Sequence, residues 1–561
     1  MPSAEIVLGG YPAKNCARAV HNDFSPASPP KPPLDEATQL LLGEGVAFEE
    51  HVNARLARTS GAVLLGDENG WDANREATLA AMRDGVAVIV NGRLPDVGPR
   101  TGAPDVLVRI GDGYVPVDVK NNGTRAEAKT RSAIVSTVDA PADLHPVAGL
   151  SDSGTHREDE GVQLAHYTRM LQDLGFHAGD EHLIGGIIGN SDFTPEGGDP
   201  WLIRWYDLTT PFKATYSASA SAGRAKRSLL DRYDHEFAFR LKVAHAARSG
   251  KELVRPFHVS ECGACAWSSY CHQVAGPDDA SFAIDTGLPT AQQWRHLRDA
   301  HQITTLTDLS ALDPATCTGW DARDTQPGTR AQRKLATLVR RAGMTTAGVE
   351  IEPLDAWPEI PSADVEVDFD IEWDLDGRIY LWGVRIREGQ DDATAVFDPV
   401  VSYVPLDDDG ARALAVEFAA KVEALAASAA AEGKALQIYH WTSPEVSRTF
   451  KYAEVRAALE GRTFDLEAWL RASFLTRRGT SIKVVAPLFG FSWSVDDAGG
   501  LQSQTHIETA RGDDPDAAAA SRAWLHAYNQ SDVAAQAAIR DGLRAAKSGD
   551  GASRSCPAAQ R

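Results

Sequence analysis

Three cysteines, Cys262, Cys265 and Cys271, fall within the eleven residues ECGACAWSSYC. Thiolates at two- and five-residue intervals suit a metal centre, and three of them need a fourth ligand. Cys16, in YPAKNCARAV, is the leading candidate. Cys317 and Cys556 fit less well, one lying in a helical linker and the other in the tail. Soft thiolates suit an iron–sulfur cluster and zinc alike, and unligated buried thiols are the third alternative. Six cysteines in 561 residues are too few for a disulfide framework. The opening MPSAEIVLGGYPAK lacks the apolar core of a secretory signal, so the thiols are expected in a reducing, cytoplasmic compartment.

The formal net charge of −22 argues against a protein that coats nucleic acid by bulk charge. It leaves room for a local basic channel and for carboxylate clusters that hold divalent cations. No stretch is long and apolar enough for a membrane helix, so no membrane association is expected.

The patterning divides the chain into 1–285, 286–345, 346–547 and a tail, 548–561, expected to be disordered. The first part alternates helix and strand patterns: a helix over DEATQLLLGEGVAFEEHVNARLA, strands over GVAVIVNGRL, APDVLVRI and YVPVDVK, a helix over EGVQLAHYTRMLQDLG, then strands HLIGGIIG and PWLIRWYDL. Residues 121–158 are polar and weakly patterned and predict an insertion or mobile loop. A long helix is predicted over about 220–248, stopped by Ser249-Gly250. The second part reads as short helices. The third opens with a β-hairpin, VEVDFDIEW and RIYLWGVRI, followed by a helix over 410–430 and a strand over ALQIYH.

Asp105 lies near a strand start, and Asp118 and Lys120 are two apart on the next strand, hence on one face. Two carboxylates at the ends of adjacent strands can share a divalent metal, and a lysine beside them can activate water and offset phosphate charge. A solvated strand face is the alternative for so short a motif. The pattern G-x-P-D…D-x-K, with the acids thirteen positions apart, resembles the PD-(D/E)XK nuclease signature. Glu49 lies upstream on a helix, with Glu50 and His51 as rivals. Gln163 and Tyr167 lie downstream, four apart on one helix face. The order resembles that of RecB-like nucleases, in which an acid of the early helix completes the metal shell and a Q-x-x-x-Y pair helps form the site. The Cys16, Cys262, Cys265, Cys271 set resembles the iron–sulfur staple of the same nucleases. That resemblance favours a 4Fe-4S cluster, with zinc as the alternative, clamping the two ends of the nuclease domain.

A second acidic set lies in VDFDIEW, where Asp370 and Glu372 share a strand face with Asp368. A strand that buries several acids needs a metal or a partner to neutralise them. Residues 350–376 hold eleven acids and no Lys or Arg. The alternative is a charged edge strand with acids on helix surfaces. D-x-E resembles the first motif of DEDD exonucleases with an RNase H-like fold. YHWTSPE then places His440 at the second motif's Asn position and Glu445 at its acid position, and YNQSD supplies Tyr528 and Asp532 for the third. Asp465 is an outside candidate. The resemblance implies that four carboxylates hold two metals while Tyr528 positions the attacking water.

Residues 224–255 carry nine Lys/Arg against four acids and 323–341 six against one, which could line a nucleic-acid channel or form ordinary solvated helix faces. Trp201, Trp205, Trp267 and Trp382 are expected in the core.

Over roughly 10–275 and 362–540 the chain resembles RecB-like nucleases with a C-terminal RNase H-like domain. The expected fold class is α/β: a restriction-endonuclease-like PD-(D/E)XK domain, a degenerate helix-hairpin-helix-like linker and an RNase H-like α/β domain. The expected function is hydrolysis of phosphodiester bonds with Mg2+ or Mn2+. The expected substrate is DNA rather than RNA, as single strands or ends, in repair, recombination or nucleic-acid processing. No P-loop occurs, so ATP-driven unwinding would come from a helicase partner. The alternative is a clamp that grips nucleic acid without cutting.

Overall fold

A computed structural model describes residues 5–548 except 15, 35, 152–157, 192, 194–200, 217–223, 285–288, 318, 321–328, 375–376 and 497–499. Cys556 and the tail expected to be disordered lie outside the described residues. The chain forms two compact units. The first runs to Ala283 and takes in Gly287–Thr305 and Asp313–Leu335; the second takes in Ile284–Thr286, Leu306–Leu312 and the chain from Ala336 onward.

The first unit is organised on an eight-stranded sheet. Its strands are β1 (Ala62–Leu64), β2 (Val88–Val90), β3 (Val106–Ile110), β4 (Gly113–Lys120), β5 (Glu127–Thr137), β6 (His145–Leu150), β7 (Ile184–Gly189) and β8 (Leu202–Asp207), in the order β1-β2-β3-β4-β7-β8-β5-β6. β3 and β4 form an antiparallel hairpin, and β7 returns parallel to β4, with Asp118 opposite Ile187. A parallel return needs a crossover, which includes the helix Glu158–Leu174. That helix, α2, follows α1 (Glu36–Leu56) in the chain. Gly185 lets α2 approach β7: a Cβ there would lie 2.8 Å from Leu164 Cβ. β4 is buried almost throughout, including Asp118, because core residues such as Val52 and Val90 pack with its valines.

Two sequence expectations change here. Residues 121–158 are not simply a loop, because β5 and β6 form an antiparallel pair that extends the sheet edge. The edge strand β6 and the first half of β5 are mostly exposed and can carry polar residues on most positions, so their alternation is faint. The helix predicted from about 220 begins only at Leu229. Lys213–Tyr216 and Arg224–Arg227 pair antiparallel first, and Ser228 and Asp231 form a capping box that starts α3 (Leu229–Arg248).

The second unit is built on β9 (Val365–Trp373), β10 (Ile379–Glu388), β11 (Val396–Phe397), β12 (Val400–Val401), β13 (Leu436–His440) and β14 (Thr463–Asp465). The order is β11-β10-β9-β13-β14, with β12 also paired to β10. β9 and β10 are antiparallel; β9, β13 and β14 run parallel. Helix α4 (Asp408–Ala431) packs Phe418 and Val422 with Phe369 and Trp382. The acidic side chains of β9 meet the 34-residue helix α5 (Pro515–Ser548). Trp205, Trp267 and Trp382 are buried and Trp201 partly so. Among the described residues no helix is long and apolar enough to cross a membrane.

Candidate functional site

In the second unit, the even positions of β9 form an acidic ladder on one face, with Glu366, Asp368 and Glu372 buried and Asp370 half-buried. Helix α5 answers it with a four-residue polar repeat. Arg540 donates to Asp368 at 2.6 Å and to Glu366 at 2.9 Å, and Arg544 to Glu366 at 3.1 Å. Arg387 adds a 2.6 Å bond to Glu366, and Arg385 lies 3.4 Å from Asp368. Asp368 therefore shares the predicted face but is neutralised by arginines. Burying it without them would leave an uncompensated charge.

The outer pair has no arginine partner of this kind. Ligand oxygens of Asp370, Glu372 and Asp532 all lie within 4.8 Å of one another. Burial first, then Glu372, Asp532 and Glu445, hold Asp370 well above the usual carboxylate range. Burial and Asp532 push Glu372 up to about 8. Asn529 Nδ2 donates to Asp370 Oδ2 at 2.8 Å. Asp532 pairs with Lys483 and accepts from Trp493 Nε1 at 2.7 Å. The Lys483 ammonium also sits 4.6 Å from the centre of the Tyr528 ring. Burial and the neighbouring acids drive the Tyr528 phenol far above its ordinary range, so it stays protonated.

Glu445 stands outside that triad. Thr442 holds it through its hydroxyl at 2.8 Å and its backbone N–H at 3.2 Å, and burial raises it to about 7. His440 Nδ1 is turned to the Thr442 carbonyl at 2.7 Å. Asp465 caps the helix Leu466–Ser473 by accepting from Ala468 N–H at 2.7 Å. Asn529, Lys483 and Gly383 escaped the sequence reading. Gly383 pairs with Asp370 across the β9–β10 hairpin, and a Cβ there would lie 1.8 Å from Asn529 Oδ1. It is the one glycine of RIYLWGVRI, a signal the hairpin register makes legible.

In the first unit, Asp118 is fully buried on β4 and its Oδ2 lies 3.1 Å from Lys120 Nζ. Asp105 accepts from Val119 N–H at 2.6 Å, and its Oδ2 is 3.9 Å from the same ammonium. Burial and Asp118 hold Asp105 well above the usual range. Burial pulls Lys120 down, but Asp118 and Asp105 outweigh it and keep the lysine charged. On α1, burial raises Glu49 and Asp118 adds to the rise, against the pull of Lys120. Glu50 and His51 are exposed, and His51 packs its ring against Trp201. Glu49, Asp105 and Asp118 do not form a set within 4.8 Å.

Gln163 Nε2 donates to the Tyr167 hydroxyl at 2.9 Å, and Lys14 Nζ donates to Gln163 Oε1 at 2.9 Å. Burial, then Asp118 and Asp105, push Tyr167 well up. Lys14, absent from the sequence reading, thus joins this centre; nothing in YPAK advertises it. The neighbouring His166 is a core residue. Burial lowers it to about 4, and its ring bonds the Tyr233 hydroxyl and the Thr101 carbonyl.

The structure brings Cys16 into the electrostatic neighbourhood of Cys262, Cys265 and Cys271. Burial raises Cys262 to about 11, and Cys16, Cys265 and Cys271 each add to the rise. Cys271 accepts from Asn22 Nδ2 at 3.4 Å and Cys262 from Val259 N–H at 3.4 Å. No three of these sulfurs lie within 4.8 Å of one another.

Comparison with known proteins adds one match: residues 367–544 fit the RNase_H superfamily. No curated protein and no solved structure matches the chain. The second unit therefore carries an RNase H-like domain, and its acidic centre lies within the matched residues.

Proposed function

We propose that the chain is a metal-dependent nuclease with an acidic centre in each unit. The convergence of Asp370, Glu372 and Asp532 within 4.8 Å, inside the RNase H-like match, carries this reading. Three hard oxygen donors, with Asp370 and Glu372 raised above their ordinary range, fit Mg2+ or Mn2+, which would relieve their mutual repulsion. Such an ion, when bound, supplies charge stabilisation at the phosphodiester. The chain's own groups do the rest. Asn529 orients Asp370, Lys483 offsets phosphate charge, and the protonated Tyr528 hydroxyl orients the attacking water.

We assign the first unit the PD-(D/E)XK role, with Glu49, Asp105 and Asp118 as metal ligands, Lys120 as the water-activating lysine, and Gln163 with Tyr167 as supports. The strand hairpin with a parallel return, and Lys120 set between Asp105 and Asp118, support it. The four-cysteine set would hold a 4Fe-4S cluster. The C-x2-C-x5-C run and the influence of Cys16 on Cys262 support a shared thiolate site, with zinc as the alternative. A DNA substrate, as single strands or ends, a helicase partner and a cytoplasmic setting complete the proposal.

The test is cleavage of labelled single-stranded DNA and RNA with Mn2+ or chelator, by wild type, Asp118→Ala, Asp370→Asn and the double variant. Each single variant should lose part of the Mn2+-dependent cleavage and the double variant all of it. Cleavage that survives in the double variant overturns the assignment. Glu445 is held by Thr442 and is not one of the three converging acids, which favours a second reading, a clamp whose C-terminal centre binds without cutting. Under it, the wild type binds the strand equally with Mn2+ and with chelator and leaves it intact.

A further inference from the structure

Cys317, set aside as a fourth ligand for the thiol trio, converges instead on two imidazoles. His296 and His301 lie on the helix Ala291–His301 of the first unit, with ring centroids 5.4 Å apart. Their nitrogens and the Cys317 sulfur all lie within 4.8 Å of one another. We propose that His296, His301 and Cys317 form a zinc site, separate from the two acidic centres and from the four-cysteine set.

The donor set decides the metal class. Two imidazoles and a thiolate are borderline-to-soft ligands, poor for Mg2+ or Ca2+ and well suited to zinc. Zinc–nitrogen bonds of about 2.0 Å and zinc–sulfur bonds of about 2.3 Å place tetrahedral ligand atoms roughly 3.5 Å apart. Three protein ligands leave the fourth position to a water or an exogenous donor.

The backbone presets each ligand. Gln302 takes a left-handed conformation, φ 59°, and ends the helix at His301. Cys317 follows a short turn, Pro314–Thr316, that Asp313 caps, and Gln332 Nε2 holds the Cys317 carbonyl at 2.9 Å. The Cys317 side chain is fully buried while both histidines are half-buried, so the sulfur is shielded and the imidazoles are the solvent-accessible ligands. The metal would pin the segment around Cys317 to the helix Ala291–His301.

The experiment measures metal content of the full chain after exhaustive dialysis, for wild type, Cys317→Ser and His296→Gln. Both variants are expected to hold one zinc equivalent fewer than wild type, with iron content unchanged. Replacing zinc by Co2+ should give a thiolate-to-cobalt absorption band in wild type that Cys317→Ser abolishes. His296→Gln keeps the buried thiol, so it reports on ligation should Cys317→Ser fold poorly. Equal zinc in wild type and His296→Gln, or a cobalt spectrum without a thiolate band in wild type, overturns the proposal.

Discussion

Asn529 donates its side-chain amide to Asp370 at 2.8 Å from a position that only a glycine at 383 leaves free. The Asn529 side chain is fully buried and fills the space beside β10 that any Cβ at position 383 would claim. A backbone position on one strand thus sets the orientation of an acid on its neighbour.

Gly383→Ala is expected to displace Asn529 and cost about 1–3 kcal/mol, the usual penalty for overfilling a packed site. It should also weaken Mn2+ binding at the C-terminal centre. Urea unfolding and a Mn2+ titration check both effects. Asn529→Ala in the Gly383→Ala background should recover stability but not metal affinity.

Arg540→Met leaves Asp368 and Glu366 with fewer cations inside the core. Removing one partner of a buried ion pair costs about 3–5 kcal/mol. Equilibrium unfolding of the second unit should show a loss of that size. Adding Asp368→Leu should restore part of it, because the uncompensated acid is gone.

The metal-free protein should lose stability as pH rises. Glu372 sits at about 8 and Glu445 at about 7 in the fold, against an ordinary value of 4.5. The folded chain therefore retains protons that the unfolded chain releases. This contribution is fully present below about pH 4.5 and is lost as pH climbs through about 7 to 8. Melting temperatures with chelator should fall across that window. Glu372→Gln should flatten the fall, and Mn2+, which favours the ionised acids, should reduce it.

Lys14→Met removes the ammonium that holds Gln163 and leaves the Asp105 and Asp118 side chains in place, although one charge near Asp118 is lost. Under the nuclease role proposed for the first unit, cleavage should drop several-fold while stability changes by about 1 kcal/mol, the worth of one hydrogen bond. Single-turnover rates and thermal melts separate the two effects. A melt shifted far beyond that, with an unchanged rate, contradicts a positioning role.

Much of the second unit was legible in the sequence. The alternation of VEVDFDIEW sets the face shared by Asp368, Asp370 and Glu372, because the side-chain period of a strand is fixed at two. Tyr528 and Asp532 fall one helical turn apart on α5, so their common face follows from the period of the helix. The pair β5–β6 at the end of the sheet was not legible, since its largely exposed positions carry little alternation.

Sequence by itself determined which residues carry charge, which carry sulfur and which share a face, because those properties are local and periodic. Only the tertiary structure decided which acids are free to act. Glu366 and Asp368 meet Arg540, 174 and 172 positions away, while Asp370 and Glu372 meet Asn529 and another acid. The distinction depends on the register of α5 against β9. That register is set by packing over the whole unit, and no local pattern along the chain encodes it.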